Sequence, residues 1–320
     1  MKATVIACIL LLTVMFSLPL RLLKADNTNS ATVTTLAPHK TEKPQKAQTN
    51  LPSSFRLLTD DNVITISAED YIMGVLAAEM PLSYNKEALK AQAVAAYTFA
   101  CHRSLQYADR EYDLTSDSNA DQAFVPIESA KALWGNQTDA YLDKLRTVIS
   151  ETQGQILTYD NLPALTVYHA TSPGVTVDCK DVWGESLPYL VSVDSTGDTL
   201  CEDFLSSATF SAQELSLILG IEALDDLNSW LQSSDVAPSG KVRSVTFCSK
   251  NFTGGEIADL LGLRSSNFTV SPEGENFVFK VKGYGHGVGM SQTGAEYMAQ
   301  QGADYKEILS HYYPGCTLTN

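Results

Sequence analysis

The spacing of apolar residues predicts two consecutive helices near the start of the globular part of the chain. Ile72, Val75 and Leu76 follow one another at helical intervals, which places them on one buried face. Ser67 is suited to cap this first helix. A second helix is expected over about 85–104, where six alanines permit very close helix packing.

Further along the chain, short apolar runs predict strands, and the sequence closes with two more helices. Strands are expected at 63–66, 155–159, 164–168, 189–193, 241–248, 268–270 and 276–281. Helices are expected at 143–154, as two short elements within 211–234, at 291–301 and at 305–313. This mixture predicts an α+β fold, with helices and antiparallel strands in one globular domain that carries a smaller inserted lobe.

Composition divides the chain into an apolar N-terminus, a polar linker and a globular domain. Eighteen almost uncharged residues near the N-terminus would span about 27 Å as a helix, close to the thickness of a bilayer core. A buried core helix and lipidation at Cys8 are the alternatives to an anchor. We predict a signal anchor or transmembrane helix at 1–24, a flexible linker at 25–55 and the globular domain at 56–320, with 206–275 as a possible sub-lobe.

The charge of the chain excludes one class of partner. Its 320 residues include 37 acidic and 22 basic side chains, which gives a formal net charge of -15. Nucleic acids require a surplus of lysine and arginine on one face, so we expect no nucleic-acid partner. Neutral sugars remain compatible with this surface, because they are held by hydrogen bonds and stacking.

Glu79 is the strongest candidate for catalysis. It lies three residues after Leu76 and four after Val75, so helical spacing puts its carboxylate on the apolar face. Burial raises the pKa of a carboxyl group, as a general acid near neutral pH requires. The alternative is a structural glutamate that accepts backbone hydrogen bonds or pairs with Lys86 or Lys90.

A second candidate is the segment 283–292, in which glycine occupies every second position from 283 to 289. In an extended strand these glycines would clear one face and let a ligand or another backbone approach closely. His286 would then lie opposite the bare face. A glycine-rich bend with a structural histidine is the alternative.

A third candidate is the hydroxyl-rich loop 168–176, which could bind a sugar or could be an ordinary turn. His169, Cys179 and Cys201 could form a three-ligand zinc site, although their spacing is irregular and a Cys179–Cys201 disulfide or two free thiols are equally acceptable.

Several segments, in order, resemble the stage II sporulation protein D family, which is related to the amidase-enhancer proteins. They cover about 64–316 and comprise Glu69–Pro81, Glu87–Ala96, Asp117-Ser118 with Asp121-Gln122, His169–Thr176, Val182–Gly184 with Pro188–Leu190, Leu261–Ser265, Gly283–Gly294 and His311–Gly315. The chain departs from the family pattern at Tyr97, Pro173 and Val177, where arginine, glycine and glutamate are common. These departures put details of substrate contact in question.

The resemblance implies a peptidoglycan lytic transglycosylase that cuts glycan strands already stripped of stem peptides by an amidase. It implies a role in remodelling the septal wall during engulfment, with a cell-wall amidase and other engulfment membrane proteins as partners. A single-pass protein of the cell membrane is expected, with its catalytic domain outside the cytoplasm. Zinc is known in some members, but no cofactor is required by this reading.

The resemblance also assigns roles to individual residues. Glu79 matches the catalytic glutamate, and the motifs suggest substrate contacts at Ser172, Thr176, His286, Gly287, Ser291 and Gln292. Two other functions stay open. One is a glycan-binding protein that stimulates an amidase without catalysis. The other is a peptidase that would use Cys179 or Cys201 with His169 or His286, although no local signature supports it.

Overall fold

Short helices and strands alternate through residues 51–60 and 62–320, which are the part of the chain that the computed structural model describes. The helices in this part are α1 Ala68–Glu79, α2 Lys86–Gln106, α3 Ile127–Trp134, α4 Thr138–Thr152, α5 Lys180–Trp183, α6 Ala212–Leu219, α7 Gly254–Leu261, α8 Gln292–Gln300 and α9 Tyr305–Tyr312. Short 3₁₀ turns lie at Gly135–Gln137, Thr196–Leu200 and Leu227–Ser229.

The strands are β1 Ser54–Leu58, β2 Val63–Ser67, β3 Leu114–Thr115, β4 Ile156–Tyr159, β5 Leu162–Pro163, β6 Tyr168–His169, β7 Leu205–Ser211, β8 Leu231–Val236, β9 Val242–Phe247, β10 Lys250–Thr253, β11 Phe268–Glu273, β12 Asn276–Lys282, β13 Met290–Ser291 and β14 Thr317–Thr319. They form small sheets in the orders β2-β1-β3, β14-β4-β5, β13-β6, β11-β12-β7 and β10-β9-β8. Most pairs are antiparallel, and β1–β3 and β6–β13 are parallel. The mixed α+β class predicted from the sequence is confirmed.

A first hydrophobic cluster surrounds α2, which lies in the middle of the helical part. Alanines such as Ala88, Ala95 and Ala96 are completely buried, so α1, α4, α8 and α9 can approach the helix closely. The caps follow the sequence as well. The Ser67 side chain accepts from the Asp70 N–H at the start of α1, and Asn85 accepts from Glu87 at the start of α2. The two predicted helices are therefore confirmed.

A second hydrophobic cluster is built from residues between 205 and 282. Trp230 and Phe277 are completely buried at its centre, with their ring centroids 5.1 Å apart. Ser211 and Thr253 close reciprocal capping boxes at the starts of α6 and α7. The assignment of 206–275 as a lobe of its own stays a prediction.

The described residues also bear on the predicted N-terminal region and on one strand. Strand β1 begins at Ser54, just inside the end predicted for the linker, and the predicted anchor lies outside the described residues. Within 51–60 and 62–320 no helix has the length and apolar character needed to cross a membrane. The strand predicted at 189–193 is wrong, because this segment bonds irregularly to loop 175–179 through Thr176 and Cys179 instead of forming a ladder.

Candidate active site

Glu79 is the last residue of α1, where the buried stripe of that helix meets a loop. Ile72, Val75 and Leu76 are buried, as their spacing predicts, and the Glu79 side chain is partly buried. Met80 leaves the helical conformation ahead of a proline and ends α1 there. A carboxylate at the C-terminal end of a helix faces the negative end of the helix dipole. The position therefore disfavours the ionised form of Glu79.

The carboxyl group of Glu79 is held by backbone and by neutral side chains. The N–H of Ala123 donates to Glu79 Oε1 at 2.7 Å. The lysines considered as partners are engaged elsewhere, since Lys90 pairs with Glu87 at 2.7 Å and with Glu151 at 2.5 Å. Lys86 lies nearest to Glu151 as well, so Glu79 pairs with neither lysine. The backbone hydrogen bond that the structural alternative predicts is present.

Burial raises the pKa of Glu79, and three hydrogen-bonding groups oppose that rise. These groups are the Ala123 N–H and the side chains of Tyr168 and Gln292. Gln292 Nε2 is buried without a hydrogen bond of ordinary length, so its interaction with Glu79 is a longer contact. Burial is the larger effect, and the direction predicted from the sequence is confirmed.

Tyr168 connects Glu79 to a buried amide. Its hydroxyl donates to Gln122 Oε1 at 2.9 Å, and Gln122 Nε2 donates to the Tyr71 hydroxyl at 3.1 Å. Because Gln122 directly precedes Ala123, one short segment both orients the phenol and donates to the carboxyl group. Neither Tyr168 nor Gln122 was among the site residues predicted from sequence. The signal was weak: Gln122 lies in a matched motif and Tyr168 begins the candidate loop 168–176, but neither position is unusual by residue type.

The glycine segment approaches another backbone, but not as the extended strand that we expected. Gly283, Gly285, Gly287 and Gly289 all have positive φ, between 72° and 96°. A Cβ at Gly289 would collide with the carbonyl oxygen of Val167. The alternation therefore serves a left-handed backbone that L side chains rarely adopt, and it lets the segment lie against loop 167–177.

His286 lies beside this contact, and its two ring nitrogens have backbone partners. Nδ1 accepts from the Val288 N–H at 3.0 Å, and the ring also forms a hydrogen bond with the backbone of Tyr168. The side chain of Tyr168 in turn reaches Glu79. Burial, with a further contribution from Lys241, lowers the pKa of His286 to about 4. The ring is therefore neutral at pH 7.

His169 packs against His286, with their ring centroids 5.8 Å apart. Its Nδ1 lies 3.1 Å from the carbonyl oxygen of Val288, which assigns the proton to Nδ1. His169 Nε2 is buried without a hydrogen-bond partner. Burial lowers the pKa of His169 to about 3.

The structure brings the predicted motif residues together, but it turns several of their side chains inward. Strands β6 and β13 pair Ser291 with His169, so the loop 168–176 and the segment 283–292 are neighbours. Ser172, Thr176 and Ser291 are completely buried, and Gly287 is also buried. Thr176 Oγ1, for example, accepts from the Val193 N–H at 2.8 Å. Their assignment to substrate binding stays a prediction.

Sequence reasoning also missed Asp198, a completely buried carboxylate in the turn Thr196–Leu200. It accepts from the Ser172 N–H and from the Ser291 hydroxyl, each at 2.8 Å. A surface cavity of about 370 Å³ borders the same turn and is lined by Gly197, Tyr297 and His311 among others, and Glu79 is not among the lining residues.

The suggested zinc ligands do not gather into one site. In residues 51–60 and 62–320, all five cysteines are free thiols, and no group of three histidine, cysteine or acidic residues could hold a metal ion. Cys179 Sγ lies 3.2 Å from the carbonyl oxygen of Glu185 and 3.1 Å from the Leu187 nitrogen. Burial raises the pKa of this thiol, the reverse of what a cysteine nucleophile needs.

Comparison with known proteins supports the motif-based resemblance. The family model described as "Stage II sporulation protein" matches residues 59–159. Stage II sporulation protein D of Bacillus amyloliquefaciens is 36% identical over 82% of this chain and 76% of that protein. The protein of the same name from Bacillus subtilis strain 168 is 34% identical over 81% of this chain and 76% of that protein.

The amidase enhancer of Bacillus subtilis strain 168 is also similar, at 29% identity. That alignment covers 78% of this chain but 40% of the enhancer.

Proposed function

The chain belongs to the stage II sporulation protein D family, and from this membership we propose that it is a peptidoglycan lytic transglycosylase that acts in sporulation. Its substrate is the glycan strand from which a cell-wall amidase has removed the stem peptides. Its products end in a 1,6-anhydro-muramoyl residue. It works at the outer face of the cell membrane, on the septal wall, beside the amidase and other engulfment membrane proteins.

One observation carries the proposal: Glu79 is a carboxyl group with a raised pKa that has no cationic partner among the described residues. Such a group stays protonated closer to neutral pH than an exposed glutamate does. It can therefore donate a proton to the bridging oxygen while the bond to the leaving sugar breaks. The Ala123 N–H fixes Oε1, which leaves the second oxygen to carry the proton.

The number of carboxylates favours a transglycosylase over a hydrolase. Hydrolysis of a glycosidic bond usually uses two carboxyl groups, one as acid and one as base or nucleophile. No other carboxylate is among the groups that shift the pKa of Glu79 in the described residues. In the proposed reaction the ionised Glu79 takes back a proton from the C6 hydroxyl of the muramoyl residue. That oxygen attacks the anomeric carbon and closes the anhydro ring.

Tyr168 supports both protonation states of Glu79. When Glu79 is protonated, the Tyr168 hydroxyl donates to Gln122 Oε1, as in the structure. After the first proton transfer, rotation of the same hydroxyl directs its hydrogen to the charged carboxylate. Because burial raises the pKa of Tyr168, the phenol stays neutral throughout and acts as a hydrogen-bond donor.

The test compares the wild-type protein with Glu79→Gln on peptidoglycan that has or has not been treated with an amidase. We expect the wild type to release anhydro-muramoyl products from the treated material, and the variant to release none. Mass spectrometry distinguishes these products from reducing ends, which would indicate a hydrolase. Equal release by the variant would rule out Glu79 as the acid.

A second candidate function is stimulation of an amidase without catalysis, which the similarity to the amidase enhancer favours. In that case the protein should increase the amidase rate on intact peptidoglycan, and Glu79→Gln should stimulate equally well. Loss of stimulation together with loss of glycan cleavage would instead tie both effects to Glu79.

A further inference from the structure

We infer that Asp198 is a positioning residue, which clamps together the two chain segments that present Tyr168 and Gln292 to Glu79. This inference deepens the proposed function and rests on it for its catalytic consequence. The clamp itself is a property of the fold, so it can be tested without any glycan.

The setting of Asp198 is unusual for a carboxylate. It is completely buried, and it takes part in no ion pair among the described residues. Burial raises its pKa, and hydrogen bonds from serines oppose the rise. A buried carboxylate without a cation is costly unless several donors satisfy it. The donors around Asp198 therefore identify what its position achieves.

Each carboxylate oxygen has a different donor. Oδ2 accepts from the backbone N–H of Ser172, and Oδ1 accepts from the hydroxyl of Ser291. A third donor, the Ser195 hydroxyl, also acts on Asp198 and lies 2.7 Å from the Tyr312 hydroxyl. The carboxylate thus joins three parts of the chain: two that are distant in sequence, at Ser172 and Ser291, and its own turn, at Ser195.

Two of these parts lead directly to Glu79. Ser172 follows β6, whose first residue is Tyr168. Ser291 is the last residue of β13, and its Oγ also accepts from the Gly294 N–H as the cap of α8, whose first residue is Gln292. Since β6 and β13 pair in parallel, the hydrogen bonds of Asp198 connect the two strands at the end where both chains leave the pair. The side chains of Tyr168 and Gln292 then meet at Glu79.

The packing around the clamp leaves little freedom. A Cβ at Gly294 would collide with the Tyr312 hydroxyl and with Ser195 Oγ, and it would lie 3.2 Å from Asp198 Oδ1. A larger residue at 294 is therefore incompatible with this arrangement. The absence of a side chain there lets α8 approach the carboxylate closely enough for Ser291 to reach it.

The test replaces Asp198 with asparagine. Asp198→Asn keeps one accepting oxygen but turns an N–H₂ group toward the second donor. One of the two hydrogen bonds, from Ser172 or from Ser291, is therefore lost. Tyr168 and Gln292 both lower the pKa of Glu79, and loosening them should raise it further. The direct readout is the titration of the Glu79 carboxyl carbon by ¹³C NMR, with the signal assigned from its loss in Glu79→Gln. We expect the midpoint to move to higher pH by about half a unit or more.

Other titratable groups do not confuse this readout. Tyr71 and Tyr168 are the ionisable side chains whose charges interact with Glu79 in the described residues, and burial raises both of their pKa values. They stay neutral across the titration. Asp198 itself is not among the groups that shift the pKa of Glu79.

A matched control is Asp194→Asn, which makes the same change of charge at an exposed position near the same turn. It should leave the Glu79 midpoint and glycan cleavage unchanged. Asp198→Asn should reduce kcat about tenfold or more and change KM less, with the alkaline limb of the pH profile at higher pH.

If Asp198→Asn does not fold, Ser291→Ala is the second variant, because it removes one donor and keeps the carboxylate. It should move the Glu79 midpoint in the same direction by less. A folded variant of either kind with an unchanged midpoint would overturn the clamp. A shifted midpoint in a protein that cuts no glycan would keep the clamp and refute the proposed function.

Discussion

The two hydrophobic clusters of the chain differ in what they bury beside their apolar side chains. The cluster around Trp230 is formed by aromatic rings between regular strands, and its helices begin with capping boxes. Its buried polar residues, such as Lys241 and Asn267, face the glycine segment. The cluster near Glu79 encloses a carboxylate, hydroxyls and a histidine as well.

This difference shows which interactions each region depends on. The Trp230 cluster depends mainly on the burial of apolar side chains and on local helix and strand propensity. The region near Glu79 depends on particular donors and acceptors, and it leaves His169 Nε2 and Gln292 Nε2 without ordinary partners. Buried polar groups that lack hydrogen-bond partners are most often found at functional sites. The following predictions test whether the two regions separate in this way.

The largest expected effect is the loss of activity, without loss of stability, in Glu79→Gln. Removing the acid should lower the cleavage rate by about 100- to 10,000-fold. Because folding raises the pKa of Glu79, the wild type should lose stability as pH rises from the unfolded-state pKa of about 4.3 through the folded value. Denaturant titrations at acidic and at neutral pH should show that Glu79→Gln loses less stability than the wild type as the pH is raised.

The matched control for that variant is Glu69→Gln, in the exposed first turn of the same helix. It should retain activity and change stability only slightly. Reduced stability of Glu79→Gln at neutral pH would contradict the view that the ionised form of Glu79 is the unfavourable one.

The next largest effect is on stability in the other cluster. Trp230→Ala should lower the free energy of unfolding by about 3–5 kcal/mol, because it empties a fully buried aromatic site. Cleavage per folded molecule should change little. Leu217→Ala, at a side chain that is 82% exposed, should stay within about 0.5 kcal/mol of the wild type. If the activity of Trp230→Ala falls only in proportion to the fraction of folded protein, the two regions are independent. A lower kcat in fully folded Trp230→Ala would show that they are not.

Much of both clusters could be predicted from the sequence, because local signals agreed with the tertiary structure. The period of α1 placed Glu79 beside the core, and Ser67 marked a helix start that the structure confirms. Helix α7 was missed although Thr253 and Glu256 have capping-box spacing. Its two initial glycines have poor helix propensity and concealed the signal.

The rest depends on contacts between distant parts of the chain. Alternating glycines fit an extended strand as well as a left-handed path, and only the close approach of Val167 decides between them. Asp198 stands in a polar loop sequence where acidic residues are usually exposed. Nothing local indicates that Ser172 and Ser291, from 26 residues before it and 93 after it, donate to its carboxylate.

A smaller effect should distinguish glycines of the two regions. Gly289 and Gly274 have similar positive φ, 73° and 64°, but a Cβ would collide with Val167 at Gly289 and meet nothing within 4 Å at Gly274. Gly274→Ala should therefore cost about 1–2 kcal/mol from its backbone conformation alone. Gly289→Ala should cost more and also reduce activity, because it pushes on the segment before Tyr168. Equal changes in denaturant midpoint would show that the close approach is not rigid.

The smallest effect, and the most specific to the Glu79 region, is expected from Tyr168→Phe. The substitution removes the hydroxyl that bonds to Gln122 and that helps stabilise the ionised form of Glu79. The pKa of Glu79 should rise, so the alkaline limb of the cleavage profile should move to higher pH while kcat falls about tenfold. Tyr159→Phe, a partly buried tyrosine in β4, serves as the control and should leave the profile unchanged. A profile that moves to lower pH in Tyr168→Phe would mean that the phenol stabilises the protonated acid instead, and the two-state role of its hydroxyl would be wrong.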